Sequence, residues 1–261
     1  MIRSVLVACL PAIIFIHTNA QELVTDRPDQ TESSSVVPTG YLQWESGFGL
    51  EGDVNVIKTI TMNLNSSLFR YGIRDRIELR LGTELVKVQD YIEYSGIWEL
   101  REVNTFLSSV YAGGKIQLSE QVEFIPEMAI LGHISFPKPF GQAADGEYIA
   151  PDLTFAASYT FNDQLSTGIN LGSHWPGFGK GRPDIFYSIV MGLKHTEKIT
   201  SFYEIYGYNP AHTLSKDVRI DLGVTFLVQP NFQLDLSSGK GMSEISPDFF
   251  IAGGFSWRIP D

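Results

Sequence analysis

From residue 40 to the end of the chain, apolar and polar side chains alternate with a period of two, and this pattern limits the possible folds more than any other feature. An extended backbone sends successive side chains to opposite faces, so the pattern writes one apolar and one polar face onto each strand. The run Val218 to Val228 shows it most cleanly. Val218, Ile220, Leu222, Val224, Phe226 and Val228 share one face, and Arg219, Asp221, Gly223 and Thr225 share the other. Ile77, Leu79, Leu81 and Leu85 oppose Glu78, Arg80, Gly82 and Glu84 in the same way. Ile149, Leu153, Phe155, Tyr159 and Phe161 oppose Asp152, Thr154, Ser158 and Thr160. Hardly any segment carries the spacing of an amphipathic helix, so the chain is expected to be all-β.

Read this way, the sequence predicts twelve strands near 41–50, 56–70, 75–88, 104–118, 122–136, 148–161, 165–175, 184–195, 199–208, 216–228, 231–237 and 247–258. Several exceed the ~5–6 residues usual in globular proteins and suit a tilted crossing of a bilayer. Tight turns at 71–74, 119–121, 162–164, 196–198 and 229–230 alternate with longer connections at 51–55, 89–103, 137–147, 176–183, 209–215 and 238–246. Short periplasmic turns and long outer loops give this order in a closed antiparallel transmembrane β-barrel, whose even strand number would place both termini on the periplasmic side. A soluble periplasmic β-sandwich that binds a ligand is the alternative. It gives no reason for the alternating connections, nor for the Ser, Thr, Gly and Asn that replace Lys and Glu on the polar faces. Trp44, Phe69, Tyr71, Trp175, Tyr203, Phe255 and Trp257 near strand ends fit the aromatic girdles of a membrane barrel.

The first twenty residues read as an export signal, with Arg3 as the positive n-region, Ser4 to Ile16 as the apolar core and Thr18-Asn19-Ala20 before the cut. Three parts follow: a signal peptide over 1–20, an extended periplasmic segment over 21–39 and an outer-membrane barrel over 40–261. The expected location after cleavage is the outer membrane of a Gram-negative bacterium, with outer-membrane lipids and the barrel-assembly machinery as partners. The lone Cys9 lies in the signal, so the mature part has no disulfide or thiolate chemistry. Residues 1–20 hold one charged side chain, Arg3, and their loss takes the formal charge from −11 to −12. That acidity argues against nucleic acid as a partner.

No enzyme signature is evident, and no metal or cofactor is expected. His133, His174, His195 and His212 form no metal-ligand spacing, and Gly177-Phe178-Gly179-Lys180-Gly181 precedes Pro183 and a strand where a phosphate loop requires a helix. His133 and Ser135 share a strand face, which leaves a barrel enzyme acting on lipids as an alternative, although that face points to the lumen. The candidate functional residues are those on the lumen register: Gln43, Glu45, Glu78, Arg80, Glu84, Lys115, Glu123, Glu127, His133, Asp152, Asp184, Lys194, Glu204, Arg219, Asp221 and Asp235. Acidic groups outnumber basic ones, which favours cations or neutral solutes if a path is open. Most of these groups are expected to pair with one another, and a minority to meet a solute. The 89–103 segment, with Tyr91, Tyr94, Trp98, Glu99 and Arg101, is a candidate inward-folding constriction or an interfacial anchor.

Val24-Thr25-Asp26-Arg27-Pro28-Asp29-Gln30-Thr31-Glu32-Ser33-Ser34, then Val37-Pro38 and Gly40-Tyr41-Leu42-Gln43-Trp44-Glu45-Ser46-Gly47, resembles the outer-membrane family labelled as putative proteins of the MetA pathway of phenol degradation. The resemblance implies a barrel transporter and carries over no particular substrate. Combined with the barrel pattern, it leads to the expectation of a channel or transporter for small, hydrophobic or aromatic solutes by passive diffusion. Read from its residues alone, the 21–39 segment is too polar for a core, and Pro28 and Pro38 block regular pairing. It is therefore an extended lead-in, a strap tucked into the barrel mouth or a disordered tail.

Overall fold

A computed structural model describes residues 22–54, 57–137, 148–213 and 215–260; the signal at 1–20 and most of the 137–147 connection lie outside the described residues. Twelve strands run in chain order: β1 Leu42–Val54, β2 Ile57–Arg74, β3 Ile77–Tyr94, β4 Ile97–Ser119, β5 Glu127–Ser135, β6 Ala150–Asn162, β7 Leu165–His174, β8 Asp184–Lys194, β9 Ile199–Asn209, β10 Asp217–Gln229, β11 Phe232–Gly241 and β12 Phe249–Ile259. Each pairs antiparallel with its neighbours in sequence, and β1 closes on β12 in a register that sets Trp44 opposite Trp257. Among the described residues every named strand belongs to this one closed ring, which is a barrel and not a sandwich.

Burial is inverted relative to a water-soluble protein. Leu79, Leu81, Leu171, Leu222 and Leu236 are about half exposed on the outer face, whereas Arg70, Lys115, Gln43, Glu45 and Glu78 are fully buried. Large apolar groups outside and charges inside are stable only where the outer solvent is hydrocarbon. At the end where β1 begins, Trp44 stacks on Phe69 at 5.9 Å and meets Phe255 edge-on at 4.9 Å, forming part of an aromatic girdle.

The structure corrects several boundaries. The 89–103 segment is no loop: β3 and β4 stay paired to Tyr94 and Ile97 and turn at Ser95-Gly96, both in the left-handed region. With 18, 18 and 23 residues, β2, β3 and β4 are much longer than the ~9–11 residues a bilayer requires, so this part of the wall projects beyond it. Tyr91, Tyr94, Trp98, Glu99 and Arg101 belong to this projecting sheet and form no inward constriction. At the turn end, β5 starts at Glu127. Residues 120–126 form a longer connection closed by a Val122–Ile125 bridge, with Glu123 exposed at a φ of 51°. Glu123 is therefore not a lumen residue. Lys194 sits at the same end of β8, on the register of the inward-facing Ser188, and pairs with Glu197 at 2.9 Å at the mouth.

Residues 22–39 fill the barrel as an ordered strap. The strap enters beside the end of β12, where Glu22 accepts a bond from Arg258 through its carbonyl. It climbs to an apex at Arg27–Gln30 and descends to the start of the wall, where Thr39 bridges Gly72. Both ends therefore leave by the turn-side mouth.

Candidate functional site

A fully buried polar cluster in the lumen is built from the polar faces of β1 to β4 and both limbs of the strap. Arg70 precedes Tyr71 and follows Phe69 on β2; with both aromatics outside, its guanidinium must point inward. It lies beside Glu78 and Arg80 of β3 and Lys115 of β4, because the register sets Arg70 opposite Arg80 and Glu78 opposite Lys115. Arg70 Nη1 donates to Glu45 Oε1 at 2.9 Å and Arg70 Nε to Glu78 Oε1 at 3.0 Å, while Arg80 Nη1 donates to Glu78 Oε1 at 3.0 Å. Three cations thus face two wall carboxylates. The strap supplies the missing charge: the Asp26 carboxylate lies 2.7 Å from Arg80 Nη1, 3.2 Å from Arg70 Nη1 and 3.2 Å from Lys115 Nζ. Glu32 adds a second carboxylate to Arg80 Nη2.

Burial alone would raise the Asp26 carboxyl, but Arg70, Lys115 and Arg80 outweigh it and hold the group well below the usual carboxylate range. Its contribution to strap binding is therefore complete above the ordinary carboxylate pKa and fades as pH falls through the lower, bound value. Asp29, at the apex, shows the opposite case. Burial and then the nearby Glu204 push it well up, so its contribution is present at low pH and fades as pH rises through the elevated value.

Across the lumen the wall is acidic, with Glu204 on β9, Asp221 on β10 and Asp235 on β11, and the strap meets it with donors. The Gln30 N–H donates to Glu204 Oε2 at 2.7 Å, the Thr31 hydroxyl donates to Glu204 Oε1, and Arg27 forms a two-point pair with Asp235 at 3.2 and 2.9 Å. The three cations that take the strap's carboxylates thus lie on one wall, around Glu45 and Glu78, and the carboxylates that take its donors lie on the other. The Arg27 guanidinium fits against the wall because Gly47 and Gly254 have no side chain; a Cβ there would lie 2.3 and 2.5 Å from its atoms. Gly47→Ala should evict the guanidinium and leave the wall intact, since the clash falls on the end of a flexible side chain. Loss of a charged hydrogen-bonded pair costs about 1.5–3 kcal/mol of strap binding. Arg27→Ala should match it and the double variant add nothing, as read from the rate at which a cysteine at Ser34, buried in the strap, is labelled.

Above the strap the lumen opens away from the short turns. A cavity of about 520 Å³ is lined by Glu84 of β3, Tyr206 and Tyr208 of β9, and Asp217 and Arg219 of β10. Arg219 is tied to Asp217 at 2.7 Å and to Glu51 at 3.0 Å. A side recess of about 280 Å³ shares Gln30 and Tyr208 with it, and Tyr111, His133, Asp152, His174 and Phe186 add to its lining. His133 Nδ1 lies 2.9 Å from Asp152 Oδ1 across β5 and β6. Ser135 lines the same recess, so the His133 and Ser135 pair faces the lumen and has no access to lipid. Glu127 takes bonds from Ser35 of the strap and Gln117, and Asp184 accepts from the Ala211 N–H.

Arg70, Arg258, Asn170 and Ser188 are lumen residues absent from the sequence-derived set. Arg258 donates to Gln43 Oε1 at 3.0 Å, Asn170 accepts from the Glu32 N–H at 2.7 Å, and Ser188 bonds Thr31 at 2.7 Å. Their signal was the same alternation: Asn170 and Ser188 stand mid-strand on the lumen register of β7 and β8, and Arg70 and Arg258 on that of β2 and β12.

The crystal structure of an outer-membrane channel from Pseudomonas putida F1 is similar at a TM-score of 0.63 with 10% identity, over 87% of this chain and 98% of that one. The transport unit of the autotransporter AIDA-I from Escherichia coli is similar at 0.51 with 10% identity, over 89% and 92%. At such identities the likeness establishes the barrel fold alone, one found in Gram-negative outer membranes. No curated protein sequence is close enough to count as a relative. The model of the family described as putative MetA-pathway of phenol degradation matches residues 25–259, and the chain belongs to that family.

Proposed function

We propose that this protein is a passive outer-membrane channel for small solutes, with its own N-terminal strap setting the width of the path. The observation that carries this reading is a closed barrel, apolar outside, around a polar lumen whose 520 Å³ cavity is floored by the strap apex. A twelve-stranded barrel has only a narrow bore, and one extended segment is enough to constrict it. Aromatic rings in the side recess favour small solutes with an apolar or aromatic face, and nothing in the path demands covalent chemistry. The reading includes export under the 1–20 signal, insertion by the barrel-assembly machinery and short turns on the periplasmic side. The projecting β3–β4 hairpin then points outward.

Liposome swelling tests it. Folded protein should admit small neutral and aromatic solutes and exclude those too large for the lumen. Absence of flux for every solute, in both the parent and a variant whose strap is loosened by Asp26→Ala, removes the channel reading.

A further inference from the structure

We infer that the strap is the resident occupant of a solute-recognition site, and that this site takes small dipolar solutes carrying a carboxylate beside an ammonium or N–H donor, the class of amino acids and short peptides. The inference rests on the channel reading and adds the chemistry of what the path recognises. Asp26 is held at two points at once: its carboxylate by Arg70, Arg80 and Lys115, and its own N–H by Glu45 Oε2 at 3.0 Å. A carboxylate and a nitrogen donor three bonds apart, across Cα and Cβ, meet both requirements, as in aspartate itself. The next residue supplies a cation to Asp235 on the opposite wall, in a space that Gly47 and Gly254 leave open.

Withdrawal of the strap would leave three buried cations facing Glu45 and Glu78, and Asp235 facing an empty guanidinium-shaped space. Buried charge without a partner is costly, so the vacated walls favour a replacement that brings one negative and one positive group in the same order. An uncharged solute satisfies neither wall. A simple anion satisfies one and leaves Asp235 unpaired. With the strap in place the Asp26 site is closed, Arg80 and Lys115 being fully buried; the member of the network that meets the outer space is Glu32, which shares Arg80 with Asp26 and lines the side recess.

The dipeptide Asp-Arg is the probe, and Asn-Gln is its uncharged control. Isothermal titration on the full-length protein in detergent should show weak Asp-Arg binding to the parent, where the strap competes. Binding should be at least tenfold tighter to an Asp26→Asn, Arg27→Gln variant, and lost when Arg80→Met is added. In parent protein carrying Ser34→Cys, Asp-Arg should accelerate maleimide labelling and Asn-Gln should not. Equal binding of the two dipeptides, no gain in the strap variant, or no acceleration of labelling overturns the inference. Because binding is read without flux, its failure is separable from failure of the channel reading.

Discussion

Asp26→Ala is expected to free the strap and produce the largest change in permeability of any single substitution. The side chain removed is the one on which Arg70, Arg80 and Lys115 converge. Breaking a buried pair by deleting one partner costs about 3–5 kcal/mol, and each 1.4 kcal/mol is tenfold in an equilibrium. The population with the strap released should therefore rise by roughly 10² to 4 × 10³. A cysteine at Ser34 reports it directly, since Ser34 is fully buried and the only native cysteine, Cys9, lies in the export segment. Maleimide labelling should accelerate by that factor and planar-bilayer current should increase with it. Asp26→Asn, which keeps an acceptor, should fall between the two. A labelling rate indistinguishable from the parent would show that Arg27, Thr31 and Glu32 hold the strap without Asp26.

Arg70→Met should damage the barrel wall as well as the strap. Arg70 is fully buried and donates to two carboxylates of the wall and to the Ser35 carbonyl at 3.0 Å. Among the described residues its loss leaves Glu45 with Gln43 as its remaining side-chain donor, at 2.8 Å, and the cost is again about 3–5 kcal/mol, now in the stability of the closed barrel. The denaturant midpoint, followed by the gel shift between folded and unfolded barrel, should fall accordingly. Adding Glu45→Gln should recover part of the loss by removing the orphaned charge. If Arg70→Met lowers strap protection but leaves the midpoint unchanged, the network belongs to the strap alone.

The ring of strands was legible in the sequence because the wall divides hydrocarbon from water, and each crossing strand records that contrast residue by residue. Where the contrast ends, so does the signal. Residues 89–103 stand in water on both faces and carry Asp90, Glu93, Glu99 and Glu102 among Tyr91, Ile92 and Trp98, a mixture without period that reads as a loop although it is paired sheet. At Glu123 the error runs the other way: Val122, Phe124 and Ile125 mimic strand alternation, while Pro126, which lacks an N–H, marks the break. Lumen residues such as Glu45, Glu78, Arg80 and Lys115 could be placed on a face, but not given partners. Their partners are Asp26 and one another, and the pair that anchors the apex, Arg27 with Asp235, spans 208 positions. Alternation fixes the direction of a side chain and carries no information about what crosses the lumen to meet it.

The route of the strap also bears on the order of assembly. Its first contact is with Arg258, 236 positions away near the end of the chain, and the pocket for Arg27 needs Gly47 of the first strand beside Gly254 of the last. Neither exists until β12 has zipped onto β1. The Asp26 site, built from β1 to β4 alone, needs no closure, so the two anchors of the strap belong to different stages: Asp26 can dock on the first four strands, and Arg27 only on the finished ring.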